Sequence, residues 1–594
     1  MDEMAVQEIV KREMRGLING VTRRYVPFLA FGAALLLLAV AVPDSRPAAL
    51  RLDASGAPAG ESGYGTNGGT NGGTNGSTNG PLSSTPHPGG SASNGPLTAT
   101  GTRGPGAGSA VVPGSSLAVG GGNGGPAPRP GSQASGGVAI NGTRCGAGVR
   151  QFTFTPYSPL CTPKFVGDNG GATAHGVTAT TITLDLRKTS DYDATAQAIG
   201  ASSFDAAAND IRQLVTLFNS QYELYGRKVV VKSFNGQGAY VAEVGGQDQA
   251  GAAADAQTAY DLGAFVDGGP PAPGVYANAL TARKIISIGL PQKVVDATAN
   301  YPYQYSTLTA MQDHIGIGMA DLVCQRMQGL PADHAGDANL QGKRRTFAAI
   351  FSDQVGTSGG YNTLFDQAKK KCGVEIEKHT YTPNPSTEAS QAVQLANKLK
   401  SEGITTVLLF SDVIFSPIMT NGAAQQGYHP EWLFYGANST HAVRQMNADS
   451  LKNMIFAHPW QPQNIPLAQE NCSQMYKLAN PSAPTPQSGT TIDLLCPQLL
   501  ELFGALQAAG PNLTPESFGR GWFNQPAPAA SGQYGTWSFA RGFFSPDASF
   551  NLQYWRADLT SQYDGGSGSY AACREPANFP YLNGNLGSGQ LKCL

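Results

Sequence analysis

The 594-residue chain holds one serine in a nucleophile-like setting, Gly356-Thr357-Ser358-Gly359-Gly360, which has the G-x-S-x-G form and falls between a strand-like and a helix-like run. In an α/β-hydrolase such a serine is activated by a later histidine that an acidic residue orients, and Asp412 with His441 or His458 supplies that order. The spacing is poor, because Ser358 lies well past the strand core Phe347–Phe351 instead of on an abrupt elbow, and no His-Gly oxyanion loop precedes it. A serine hydrolase is kept as a remote alternative, and the expectation is that the chain is not an enzyme. The eight histidines, at 87, 175, 314, 334, 379, 429, 441 and 458, show neither H-x-x-x-H nor H-E-x-x-H spacing, so neither a metal centre nor a cofactor is expected. The eight cysteines form no C-x-x-C pair, and their even number points to disulfides if the chain is exported. Many connectivities are open; the spacing favours sequential pairing, Cys145 with Cys161, Cys324 with Cys372, Cys472 with Cys496 and Cys573 with Cys593.

Export is what the N-terminal layout predicts. An apolar run from Val26 to Val42 carries no charge between Arg24 and Asp44, and this is just enough to span a bilayer as a helix. Lys11, Arg12, Arg15, Arg23 and Arg24 precede it while only Arg46 and Arg51 follow closely, which keeps the stub 1–25 cytoplasmic and the body extracytoplasmic. The segment 26–43 is read as an uncleaved signal-anchor, since the acid-containing stub is long for a signal peptide. Ala39-Val40-Ala41 leaves the alternative open, a secreted chain cleaved near Ala41. Residues 44–143 then form a Gly/Ser/Asn/Thr-rich linker with the repeat Thr66-Asn67-Gly68-Gly69-Thr70-Asn71-Gly72-Gly73. So little apolar surface cannot offset the entropy of ordering, and a disordered tether with an average span of about 50 Å is expected. Charged residues make up 13% of the chain and the net charge is -2, which excludes an electrostatic footprint for nucleic acid.

The body, 144–594, alternates strand and helix patterns. Strands are expected at 181–186, 228–231, 264–266 and 285–288, with helices at 204–222, 250–262 and 275–283 between them. A second series has helices at 310–327, 361–371, 388–401 and 415–425, and strands at 346–351, 374–381, 406–410 and 432–435. Strict alternation predicts parallel sheets covered on both faces, and two series predict two α/β lobes, each a doubly wound parallel sheet. Lobe 1 is expected over about 175–308 and 438–527, and lobe 2 over about 309–437 and 528–594. A cleft between them is the expected ligand site.

Several segments carry a family resemblance. Gly176-Val177-Thr178-Ala179-Thr180-Thr181-Ile182, Tyr225-Gly226-Arg227-Lys228-Val229, Ala252 to Ala256 before Gly263-Ala264-Phe265-Val266, Phe347 to Gly356, Gln391 to Ser411, Ala424 to Pro430 and Phe544 to Asp558 resemble, in order, the type I periplasmic binding proteins of the leucine/branched-chain amino-acid class, in an actinobacterial form. The resemblance implies a two-lobed trap with a three-stranded hinge that closes on a small polar metabolite, amino-acid-like or amide-like, and passes it to an ABC permease. Where the family places carboxylate-binding hydroxyls, this chain has Gly268-Gly269-Pro270-Pro271 and Gly289-Leu290-Pro291-Gln292. Candidate ligand contacts are therefore Gly268, Gly269, Leu290 and Gln292, with Asp353, Ser411, Asp412 and Asn438 at strand ends of lobe 2 and Tyr240, Tyr305 and Tyr361 as stacking walls. The aspartates suit helix caps equally well, and the tyrosines suit plain packing. A membrane-anchored sensor or surface receptor on the same fold stays open as an alternative, although the stub is too short to hold an output domain.

Overall fold

A computed structural model describes residues 136–594 apart from 354–359, 385, 437–438, 460–464, 483–488, 529–533, 576–577 and 594. The stub, the apolar segment, most of the linker, Ser358 and Asn438 lie outside the described residues. Strands β1 (Thr181–Lys188), β2 (Lys228–Asn235), β3 (Val266–Ala272), β4 (Ile286–Gly289) and β5 (Gln304–Ser306) form one sheet in the order β2-β1-β3-β4-β5, parallel throughout. The second sheet repeats this winding with β6 (Phe347–Ser352), β7 (Ile376–Tyr381), β8 (Thr406–Phe410), β9 (Glu431–Tyr435) and β10 (Met454–His458), parallel in the order β7-β6-β8-β9-β10. Antiparallel β11 (Ser549–Thr560) and β12 (Ser567–Ala572) extend it beyond β10, and the short β13 (Phe579–Pro580) pairs with β11. Runs such as Thr406-Val407-Leu408-Leu409-Phe410 are buried at every residue, which only a strand covered on both faces permits.

The first sheet's core brings Leu184 and Leu186 of β1 against Ile211, Leu214 and Phe218 of the helix Phe204–Gln221, and against Leu499, Phe503 and Trp522 from far along the chain. The helix Gly489–Ala509 supplies the first two of that last group. Its stretch Thr491–Ala509 is long and apolar enough to cross a membrane, but 78% of its apolar window is buried, so it is the spine of this lobe. On the opposite face Ala252, Ala256, Tyr276 and Leu280 close a smaller core.

The lobe boundaries differ from those expected. Met454–His458 is the fifth parallel strand of the second sheet, so the chain returns to lobe 1 after His458 and not at 438. Its final passage comes after Phe544, since Tyr534, Trp537 and Phe544 still pack in the lobe 1 core while Phe550 packs in lobe 2. Burial decides both points: a strand buried at every residue needs sheet neighbours on each side, and β9 and β11 provide them. The linker also ends earlier than Thr143. Val138 bridges Arg144, Ala139 is buried, and Asn141 Nδ2 donates to Gln151 O at 2.6 Å, with Phe152 and Tyr157 docked on the lobe 1 core.

The first and last passages between lobes are bonded to each other, Ser306 N to Phe544 O at 2.8 Å and Ser545 Oγ to Thr309 O at 2.7 Å. Beside them Thr307 Oγ1 donates to Glu501 Oε1 at 3.1 Å. Burial pushes Asp547, three residues beyond Phe544, up to about 8, and burial together with Asp547 raises Glu501. All four expected disulfides are present: Cys145–Cys161, Cys324–Cys372, Cys472–Cys496 and Cys573–Cys593.

A buried ion cluster organises the strand ends of lobe 1. Arg187, on β1, donates through Nε to Asp255 at 2.7 Å and through Nη1 to Glu243 at 2.8 Å, with its guanidinium 3.9 Å from the centre of the Tyr276 ring. Asp255 in turn accepts from Gln237 N at 2.7 Å and Gly238 N at 2.9 Å, fixing the loop after β2. A Cβ at Gly238 would stand 2.1 Å from Arg187 Nη2, so only glycine lets the loop lie over the guanidinium.

Two outcomes follow from these buried charges. Arg187→Met leaves Glu243 and Asp255 buried without their cation and should cost roughly 3–5 kcal/mol in denaturant unfolding. Asp547 holds its proton more tightly folded than unfolded, so its contribution is full below the ordinary carboxylate range and is lost as pH rises through about 8. Asp547→Asn should therefore flatten the decline in unfolding free energy between pH 5 and 8, and an unchanged slope would refute the assignment.

Candidate functional site

A concavity of about 530 Å³, counting its open mouth, lies at the carboxyl ends of β1 and β3. This is where doubly wound sheets bind ligands. Each wall has a local cause. β1 ends at Lys188 and turns through Thr189-Ser190-Asp191 into the helix Tyr192–Ala198. Thr189, Tyr192, Thr195, Ala196 and Ile199 of that stretch, with Ala201, form one side. Asp191 accepts from the N–H groups of Tyr240 and Val241 at 2.7 and 2.9 Å, locking the β1 loop to the β2 loop. Tyr240 forms the second wall, its hydroxyl donating to Pro271 O at 3.3 Å. Pro270 and Pro271 of β3 form the third, and Thr491, Leu494 and Leu495 of the lobe 1 spine form the fourth. Ser202 N donates to Thr491 Oγ1 at 2.9 Å and so ties the first wall to the fourth.

The lining is apolar apart from hydroxyls, and no charged side chain contributes to it. Burial raises both phenols, Tyr192 to about 12 and Tyr240 further, so they are neutral donors or acceptors at physiological pH. Arg187, the cation of this strand end, is consumed by Glu243 and Asp255 and is not among the lining residues. The pocket can thus hold an uncharged or apolar part of a molecule. It does not itself present the charge pair that the resemblance implies for a free amino acid.

Lobe 2 meets lobe 1 at the rim of this pocket. Ser439 Oγ donates to Ile199 O at 2.9 Å, Gln445 Nε2 donates to Ala198 O at 3.1 Å, and His441 sits where a Cβ on Gly200 would come within 2.7 Å of its ring. The sequence candidates divide accordingly. Tyr240 lines the pocket, whereas Gly268 and Gly269 are buried within β3, with the Leu184 side chain 2.2 Å from where a Cβ on Gly268 would be, and the chain reaches the cavity only at the two prolines that follow. Leu290 N donates to Ala272 O at 3.0 Å, knitting the ends of β3 and β4, and Gln292 O accepts from Gln312 N at 3.0 Å at the start of the helix Gln312–Leu322, so both residues lie outside the lining. Tyr305 is not a wall: it is fully buried, 4.5 Å from the Trp522 ring and flanked by Phe518, Phe523 and Phe544.

Asp353, Tyr361, Ser411 and Asp412 gather instead at the carboxyl edge of the second sheet. Asp412 accepts from Ile414 N and Phe415 N at 2.8 and 2.9 Å, the cap that its position also suited, and it accepts from the Tyr381 hydroxyl. Asp353 accepts from Thr382 Oγ1, Ser411 Oγ bonds Ser416 Oγ at 2.7 Å, and Tyr361 stacks on Phe410 with centroids 4.9 Å apart. Of the residues named for the serine-hydrolase alternative, Asp412 is so engaged and His458 packs 5.4 Å from the Tyr570 ring, while Ser358 lies outside the described residues. Sequence reasoning missed Tyr192, Ile199, Leu494 and Leu495. The first two follow directly on β1 and could have been placed by the strand-end rule, but nothing local marks the last two.

No protein-family model and no curated relative matches the chain. Among solved structures it is similar to a fatty acid ABC transporter substrate-binding protein from Thermomonospora curvata, at 15% identity and a TM-score of 0.49, over 71% of this chain and 99% of that one. It is also similar to a leucine-, isoleucine-, valine-, threonine- and alanine-binding protein from Brucella ovis in its closed conformation, at 13% identity and a TM-score of 0.48, over 69% and 98%. A branched-chain amino acid transporter substrate-binding protein from Streptococcus pneumoniae in complex with isoleucine gives 14% identity and a TM-score of 0.43, over 66% and 100%.

Proposed function

We propose that the chain is an extracytoplasmic solute-binding protein, of the actinobacterial leucine-binding type that its motifs resemble, which captures a small molecule in the lobe 1 pocket as lobe 2 closes on it. The observation that carries this reading is the pocket rim: Ala198 and Ile199, which end the helix lining the cavity, are held by Gln445 and Ser439 of the other lobe. A ligand that touches both lobes gains affinity only in the closed arrangement, and the bonded pair of passages at Ser306–Phe544 is suited to act as the hinge. The apolar walls favour a solute with an apolar portion seated in lobe 1, its polar groups directed toward the seam. On the same resemblance the captured solute is handed to an ABC permease, and the segment 26–43 anchors the protein with its N-terminus cytoplasmic.

A thermal-shift screen of the full-length chain against a small-metabolite library tests this. A true ligand at 100 times its dissociation constant adds about 2.7 kcal/mol, a shift of several degrees. Thr195→Trp, which fills the pocket from its half-buried wall, should abolish that shift without lowering the melting temperature of the unliganded protein. A library with no hit would overturn the reading.

A further inference from the structure

Glu377, His379 and Glu402 place three potential ligand atoms within 4.8 Å of one another on the edge of the second sheet. Glu377 and His379 are two residues apart on β7 and so share a face, and Glu402 is the C-cap of the helix Glu388–Ser401 that follows. His379 Nε2 lies 3.6 Å from Glu377 Oε2 and 3.7 Å from Glu402 Oε2. Those distances are too long for hydrogen bonds, and Nε2 has none although His379 is only 6% exposed. A buried imidazole nitrogen aimed between two carboxylates without bonding either is costly to leave in that state. The separations suit a different partner: with Zn–N and Zn–O distances of about 2.0–2.2 Å, two ligands of one tetrahedral zinc stand about 3.4 Å apart.

We propose that these three residues bind a divalent transition-metal ion, Zn²⁺ by the character of one imidazole and two carboxylate donors, with water completing the coordination. Glu377 is half exposed, so the ion enters from solvent. Lys398 Nζ, 3.9 Å from Glu402 Oε1, is mostly exposed and can swing away as the ion arrives. The bound ion would tie the outermost strand of the sheet to the end of its crossover helix. This site is separate from the solute pocket and stands whether or not that pocket is occupied.

Competition of the full-length chain with a chromophoric zinc chelator should reveal one Zn²⁺ per chain, and Co²⁺ in its place should give the visible d–d absorption of a tetrahedral N/O site. His379→Gln should abolish both signals. Because that change touches a buried residue, Glu377→Gln on the exposed rim serves as the second variant and should weaken affinity at least about tenfold, with far-UV circular dichroism unchanged. Absence of stoichiometric uptake, or uptake that both variants leave intact, would overturn the proposal.

Discussion

Everything at the working end of lobe 1 is referred to one buried cation. Arg187 sits at the end of β1, and taking a guanidinium out of water is tolerable only with full compensation. Glu243 and Asp255 provide it, and in doing so they bring the helix Tyr240–Val244 and the helix Gln249–Asp261 to the same point. Asp255 also accepts from the backbone of the loop between β2 and Tyr240, Gln237 N at its other oxygen and Gly238 N at the one Arg187 shares. The pocket wall formed by Tyr240 is thus a by-product of neutralising a charge, and that neutralisation leaves the cavity itself without a cation.

The two lobes divide their polar groups differently. In lobe 1 the charges are consumed beneath the pocket, leaving walls of proline, leucine, alanine and hydroxyl-bearing residues. At the equivalent edge of lobe 2 polar groups are kept among one another, where Tyr381 lies flat on Phe415 with ring centroids 3.6 Å apart and meets Asp412, and Glu388 is pushed up to about 7 by burial and then by Asp412. A solute held between such edges would meet an apolar wall on one side and hydrogen-bonding groups on the other.

Much of the architecture was legible in the sequence because parallel strands announce themselves as short apolar runs between amphipathic helices. Thr406–Phe410, Glu388–Ser401 and Phe415–Gln425 fall on the bounds that periodicity assigned. The disulfides were legible too, since each bridge joins two cysteines that are neighbours along the chain. The lobe boundaries were not, because Met454–His458 belongs to the second sheet through neighbours, β9 and the distant β11, that no local pattern names. The site was legible only in part. A strand-end rule reaches Tyr240 and comes within two residues of Pro270 and Pro271, but Leu494 and Leu495 arrive from more than 200 positions later on a helix whose pattern signals only burial. Tyr305 shows the converse error, for an aromatic at a strand's end is as well suited to a core as to a binding wall, and here Trp522 and its neighbours claim it.

The placement of the disulfides has a bearing on motion. Their sequence separations are 16, 48, 24 and 20 residues, and each bridge begins and ends within one lobe or its flanking segment. Oxidation therefore stiffens each half as a separate body and leaves the angle between the halves free. The covalent network makes the lobes rigid levers, and whether they stand open or shut is left to non-covalent contacts across the seam, among them the hydrogen bonds at Ala198 and Ile199 and the one from the Tyr563 hydroxyl to Asp493.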